Sequence, residues 1–303
     1  MCRHGMDCKE EASASGRVRM LGIPLRYVLK HPLSATADLA ADPFEVLTTI
    51  HEYIAEEREP RRPQCPYQHD HDWEQRLHEH IGVSWPCEVT SEFRGLWSEV
   101  IGELQAKGIR AGPESFQWWN DGDAGFVRSI WCLVRHLRPT KIVETGVAHG
   151  VTSRFILEAL KRNGDGHLWS IDLPPLERHW REQVGVAVGD RFPDRWSYIK
   201  GSSRRHLPKL LSQLGEIDLF IHDSLHSARN VRFEIDRAWV TLSPKGAIVV
   251  DDIDANWGFH SFTQTFPGHK SLICEAEPLH PDLRRFNEKG LFGIILKQPI
   301  PQG

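Results

Sequence analysis

From about residue 117 onward, short apolar runs alternate with amphipathic stretches, and no other feature limits the possible folds as strongly. KIVET (141–145), HLWSID (167–172), WSYIKG (196–201), IDLFIHD (217–223), GAIVVDD (246–252), SLICEAE (271–277) and LFGIILK (291–297) read as strands, with helical sequence between most of them. Strands that are apolar along their whole length are buried on both faces, and the intervening helices supply the crossovers and the covering layers. The pattern predicts an α/β fold: a Rossmann-like, doubly wound, mainly parallel seven-stranded sheet with an N-terminal helical extension. Ligands of such sheets bind beyond the carboxyl ends of the strands.

Three segments follow from this reading: a flexible tail over 1–20, a helical accessory region over 21–116 and the sheet domain over 117–303. In the accessory region Asp42 and Glu45 form a capping-box signature around Pro43, and Phe44, Leu47, Ile50 and Ile54 recur at helical spacing. A second helix is predicted in SEFRGLWSEVIGELQAKG, where Phe93, Leu96, Trp97, Val100, Ile101 and Leu104 share one stripe and Gly108 stands as the C-terminal cap. Both stripes lack partners in their own segment. They are expected to pack on the rest of the chain or on a second copy in a homo-oligomer.

Hydrophobic residues make up 40% of the 303, enough to fill a core of this size. A net charge of −4 supplies no polycationic surface, so no nucleic-acid partner is expected. No apolar run approaches a bilayer span, and MCRHGMDCKEEASASG carries charges where a secretory signal needs an apolar core, so the expectation is a cytoplasmic protein without a membrane partner. The six cysteines form no CxxC pair, and Cys132 and Cys274 lie in apolar segments, which argues against a disulfide framework. CPYQHDHDWEQRLHEH gathers Cys65, His69, His71, His78 and His80 in no common zinc spacing, and reads as a polar helix or loop of solvated imidazoles, or part of a substrate lid.

The loop VETGVAHGVTS joins the first strand to the next helix. Gly146 and Gly150 let the backbone turn tightly and approach a ligand, and the helix beginning near Thr152 offers unpaired amides. The spacing is G-x-x-x-G with Ala148 between, not the G-x-G-x-x-G of a dinucleotide site. Asp172 ends the second strand, where a carboxylate commonly accepts from ribose hydroxyls. A nucleoside-containing ligand is the expectation. Farther on, Asp223 ends the fourth strand with His226 three residues later, and Asp251 and Asp252 end the fifth. Adjacent strand ends face one cleft, so the carboxylates converge and repel unless a cation is bound; oxygen donors favour a hard divalent ion such as Mg²⁺. His222 points to the other face by the strand period of two and reads as structural, while Asp254 and Asn256 are alternative ligands in the loop beyond. Trp118, Trp119 and Trp257 suit either the cleft mouth, stacking on sugar or aromatic faces, or the core.

From GFVRSIWCLVRHLRPTKIVETGVAHGVTS to the final strand, about the last three-fifths of the chain, the sequence resembles class I S-adenosylmethionine-dependent methyltransferases, and among them the catechol-type and antibiotic-sugar metal-dependent O-methyltransferases. The resemblance implies that Glu144, Gly146, Ala148, Gly150 and Thr152 surround the methionine part of S-adenosylmethionine and that Asp172 holds the ribose. Gly201-Ser202-Ser203 matches the G-x-S beside the adenine, with LPKLL in register and Arg204 flanking the ring. Asp223, Asp251 and Asp252 match the Mg²⁺ ligands, Asp223 also bordering the cofactor and counting with His226 among the catalytic groups. Catechol-type enzymes carry a Lys base where His226 stands, and antibiotic-sugar relatives carry His; the departure leans away from a catechol toward a small-molecule hydroxyl such as a sugar of a glycosylated natural product. A hydroxylase of the cephalosporin-hydroxylase type resembles the same fold and acidic strand ends, and a non-catalytic cofactor-binding module is the other rival; product mass and the effect of His226→Ala separate them.

Overall fold

All seven expected strands form in the computed structural model, which describes residues 39–59, 67–109, 122–173, 175, 178–266, 269–277 and 290–298. The elements are α1 (Pro43–Arg58), α2 (Trp73–Ile81), α3 (Glu88–Ala106), α4 (Ala124–Leu137), β1 (Lys141–Thr145), α5 (Val151–Asn163), β2 (His167–Asp172), α6 (Arg178–Arg181), β3 (Trp196–Lys200), α7 (Ser203–Leu214), β4 (Ile217–His222), α8 (Ala228–Thr241), β5 (Leu242–Val250), α9 (Gly258–Thr265), β6 (His269–Glu275) and β7 (Leu291–Lys297). The sheet order is β3-β2-β1-β4-β5-β7-β6. β1 to β5 pair in parallel, and β7 runs antiparallel to both β5 and β6. The chain reverses its direction of travel between β1 and β4, which opens a crevice at their carboxyl ends.

Strand alternation divides the core. Ile142, Leu219, Ile221, Ala247, Val249, Phe292 and Ile294 face one layer with α2, α3, α4 and α5. Val143, Ile217, Phe220, Ile248, Val250 and Ile295 face the other with α7, α8 and α9. β5 begins at Leu242, ahead of the apolar run, because a register shift between Ile217 and Leu219 lets Leu242 pair with Ile217 before the regular ladder starts at Leu219↔Ala247.

Two compact units are defined, one of 60–174 with 182–303 and one of 1–59 with 175–181. In the first, α2 and α3 share the core of the sheet: Phe93, Leu96, Val100 and Leu104 are buried, the Phe93 and Phe155 rings lie 4.9 Å apart, and Trp131 Nε1 donates to Val89 O at 2.9 Å. Gly108, at φ 79°, donates to Gln105 O and ends the helix as expected. In the second unit α1 starts as its capping residues predict, Glu45 N donating to Asp42 Oδ1 at 3.1 Å, while Phe44, Leu47, Ile50 and Ile54 are exposed. The 1–20 tail, Cys65, Trp118 and Trp119 lie outside the described residues. Among the described residues no helix is long and apolar enough to cross a membrane.

The histidine-rich segment departs from expectation. It forms α2, but His78 is 1% exposed instead of solvated, because Trp73, Leu77 and His78 share the helix face turned to the core.

Candidate active site

The loop after β1 is stitched to its neighbours by backbone bonds: Gly146 N donates to Ile171 O and Asp223 N to Thr145 O, both at 2.9 Å. Gly146 has φ 87°, and a Cβ there would stand 1.8 Å from Asp223 O, so only glycine lets the ends of β1 and β4 approach this closely. Gly150, at φ 82°, is the N-cap of α5, and Ala148 holds the left-handed region at φ 47°. The segment after α6 closes over the outside of the loop, with Gly185 N on Ala148 O, Ala187 N on His149 O, and His149 Nε2 3.0 Å from Gln183 Oε1.

Beneath the loop Glu144 is fully buried. Its Oε2 accepts from the hydroxyls of Ser153 and Ser170, each at 2.7 Å, and its Oε1 has no hydrogen-bond partner among the described residues. Asp172 holds the loop from the other side, accepting from Val147 N at 3.1 Å, and its Oδ2 lies 3.4 Å from the Tyr198 hydroxyl; burial pushes its carboxyl up to about 6. Thr152 is in the first turn of α5, where helical amides have no intrahelical acceptor.

Burial also pushes the Glu144 carboxyl up to about 8 from an ordinary 4.5. The folded chain therefore keeps a proton that the unfolded chain releases. The stability this group contributes is complete below about pH 4.5 and is lost as the pH rises through about 8, at up to ~1.4 kcal/mol per pH unit. Glu144→Gln is expected to flatten that slope, so that denaturant melts across this window show the variant gaining on the wild type as the pH rises. Parallel pH profiles for the two proteins would contradict this.

At the ends of β4 and β5, one donor atom each from Asp223, His226 and Asp251 lie within 4.8 Å of one another. His226 Nε2 is 3.6 Å from Asp223 Oδ1, and its Nδ1 is 3.1 Å from Asp252 Oδ2. Asp252, expected beside Asp223 and Asp251 as a ligand, is instead turned to the far nitrogen of the imidazole; it adopts φ 47°, a left-handed conformation that costs an aspartate on the order of 1–3 kcal/mol. Burial raises the Asp223 and Asp251 carboxyls, Asp251 well above its ordinary value with repulsion from Asp252 and Asp223 added. Burial pulls His226 down, but Asp252 first and then Asp223 outweigh it, and the imidazole is held well above its usual value. That charge balance was not apparent in the sequence, which suggested no cation beside the acids.

The alternative ligands are engaged elsewhere. Asp254 Oδ1 accepts from Leu291 N at 3.0 Å, and Asn256 donates to His226 O at 3.0 Å, fixing the backbone that carries the imidazole. Trp257 caps α9 and lies 5.1 Å from the His260 ring. Gly201 N donates to Asp172 O at 2.8 Å, joining the ends of β2 and β3, and Ser202 is the N-cap of α7. Ser203 donates to Glu234, while the Arg204 guanidinium lies 4.1 Å from the Phe233 ring and donates to Arg229 O, so Arg204 ties α7 to α8.

Glu234 is the site residue that sequence reasoning missed. Fully buried on α8, its Oε2 meets His222 Nδ1 at 2.6 Å and Thr145 Oγ1 at 2.5 Å, and its Oε1 accepts from Ser224 and Asn230 at 2.9 Å. Burial opposes its ionisation, yet His222 and these hydroxyls hold the carboxyl down to about 2. The network links β1, β4 and α8 directly below Asp223. Its signal was a carboxylate on the apolar stripe of Val231, Ile235 and Ala238.

Residues 143–253, from β1 to the turn after β5, match the family described as a methyltransferase domain. The sheet order and the crevice beside β1 are those that the resemblance implied for this segment. Among solved structures, the chain is similar to the O-methyltransferase TomG of Streptomyces achromogenes, in complex with SAM, at 16% identity over 70% of this chain and 91% of that one, with a TM-score of 0.48. It is similar to a Bacillus cereus O-methyltransferase in complex with SAH at 13% identity over 73% and 97%, TM-score 0.48, and to the SAH-bound Podospora anserina methyltransferase PaMTH1 at 13% identity over 78% and 100%, TM-score 0.45. No curated protein sequence matches the chain.

Proposed function

We propose that the protein is a cytoplasmic, divalent-cation-dependent methyltransferase that moves a methyl group from S-adenosylmethionine to a hydroxyl of a small molecule, a sugar of a glycosylated metabolite being the acceptor class. The observation that carries this reading is the convergence of Asp223, His226 and Asp251 at the ends of β4 and β5, next to the glycine loop of β1. In this reading Glu144, Gly146, Ala148, Gly150 and Thr152 border the methionine part of the cofactor, Asp172 takes the ribose, and Ser202 and Ser203 lie by the adenine. Arg204 acts through the packing of α7 on α8.

A buried Asp223 Oδ1 without a hydrogen-bond partner among the described residues, in a cluster of oxygens and one nitrogen, fits a divalent cation. Asp223 and Asp251 would hold it. Bound there, the cation supplies positive charge that orients and acidifies the acceptor hydroxyl and offsets the carboxylates that raise His226. Neutral His226 takes the hydroxyl proton at Nε2, with Asp252 at Nδ1 fixing the ring's tautomer and orientation. Gly146 brings the cofactor loop against the Asp223 backbone, which sets the in-line approach that methyl transfer requires.

Asp252 is therefore assigned to the imidazole. Asp252→Asn is expected to lower turnover by about 10- to 100-fold, leave cation affinity within a few-fold, and move the rising limb of the pH–rate profile to lower pH, since a carboxylate that raises His226 is gone. Titration calorimetry and pH–rate profiles check it; a loss of cation affinity equal to that of Asp223→Asn would return Asp252 to the ligand set. The reading as a whole is tested by following labelled methyl from S-adenosylmethionine into a panel of glycosides with and without chelator.

A further inference from the structure

A second cluster of metal-ligating side chains lies away from the acid cluster, where α2, the residue before α3, and α4 meet. His78 Nε2 is 3.0 Å from Cys87 Sγ, and one donor atom each of His78, Cys87 and His136 lie within 4.8 Å of one another. The His78 and His136 rings are 5.4 Å apart at 78°. Cys132 precedes His136 by one turn on the same helix, its thiol is hydrogen-bonded to Cys87, and Thr90 Oγ1 lies 3.3 Å from one sulfur and 3.8 Å from the other. Both cysteines are free thiols.

Three details exceed what packing requires. His78 Nδ1 lies 2.6 Å from Glu74 O, and a carbonyl only accepts, so Nδ1 carries the hydrogen and the Nε2 lone pair faces Cys87. A backbone carbonyl on the far nitrogen is the usual support of a metal-ligating histidine. His136 Nε2 is buried without a hydrogen-bond partner among the described residues, an open donor in a dry place. In a tetrahedral zinc site, bond lengths of about 2.0–2.3 Å put donors about 3.3–3.8 Å apart; His78, Cys87 and His136 lie within 4.8 Å of one another, and Cys132, outside that group, reaches it through its hydrogen bond to Cys87.

The geometry points to a site for a thiophilic divalent transition-metal ion, zinc by its donor chemistry, held by His78 Nε2, Cys87 Sγ and a ring nitrogen of His136, with Cys132 Sγ as the fourth donor. Binding forms metal–sulfur and metal–nitrogen bonds, the thiol protons leave to solvent, and nothing is oxidised or reduced. Four protein donors leave no open position, so the ion is structural: it clamps α2 and the start of α3 to α4, the helix covering one face of the sheet. The proposal is independent of the methyl-transfer reading.

The test is a Co²⁺ titration of the full chain, chelator-stripped and kept in a thiol-free reductant. The expected result is one equivalent of Co²⁺ giving a near-ultraviolet thiolate-to-cobalt charge-transfer band and the intense visible bands of a four-coordinate site, both abolished by Zn²⁺. Cys87→Ser should lose at least half of the charge-transfer intensity, and His136→Gln should bind at least tenfold more weakly. Asp223→Asn should leave the signal unchanged, because carboxylates produce no sulfur band. Folded wild-type protein that shows no thiolate band in excess Co²⁺, or a Cys87→Ser variant that keeps the full band, would overturn the proposal. Should Cys87→Ser fail to fold, the wild-type titration decides alone.

Discussion

Gly146→Ala is expected to cost several kcal/mol of stability and to reduce S-adenosylmethionine binding by more than 100-fold. The added Cβ would stand 1.8 Å from Asp223 O, far inside van der Waals contact, and the obstructing atom is backbone at the end of a buried strand. Relief requires β1 and β4 to separate, which breaks the Asp223 N to Thr145 O bond and displaces the Asp223 carboxylate. A positive φ adds about 1 kcal/mol to any alanine, whatever the space. Gly164→Ala isolates that smaller cost, since Gly164 has φ 86° and nothing within 4 Å of its would-be Cβ. Denaturant melts of the two variants should therefore differ by the cost of the overlap. Equal melting behaviour, or Gly146→Ala binding the cofactor like wild type, would contradict the account of the loop.

Asp223→Asn is expected to separate stability from activity. The carboxyl is buried, raised, and repelled by Asp252, so a neutral side chain of the same shape relieves a cost, and the melting temperature should hold or rise. Turnover should fall on the order of 10²-fold or more, because the variant loses a charged oxygen donor from the cation cluster and part of the charge facing His226. The measurements are a thermal melt without added metal and methyl transfer at saturating acceptor. A parallel loss of melting temperature and activity would make Asp223 a fold-stabilising residue, and unchanged turnover would remove it from the site.

The strands were legible because their apolar runs have the length and bounding polar residues of buried strands; β5 and β6 began early, at Leu242 and His269, β5 through a register shift that no local pattern encodes. The glycine loop and strand-end acids were legible for the same reason: they punctuate those runs. What the sequence did not carry was direction. Asp251 and Asp252 are adjacent, but a left-handed φ at Asp252 sends the second carboxylate to His226 and not into the cluster with Asp223. Arg204 stands beside the expected adenine motif, yet stacking on Phe233 of α8 ties it to a helix distant in sequence. His78 looked solvated in a polar stretch, although its place on the face with Trp73 and Leu77 marked it for burial. Glu234 was overlooked because a lone acid in an amphipathic helix usually faces water; only the long-range meeting with His222 and Thr145 explains its place on the apolar stripe.

The central claim is that the crevice beside β1 binds S-adenosylmethionine and delivers its methyl group under control of the acid cluster. The most direct test incubates the protein with methyl-labelled S-adenosylmethionine and a panel of glycosides, with Mg²⁺ and then with excess chelator, and measures product mass. The account predicts a product heavier by one methylene, formed with Mg²⁺ and lost on chelation. A folded protein that binds no S-adenosylmethionine by calorimetry, or whose product gains oxygen instead, would contradict it.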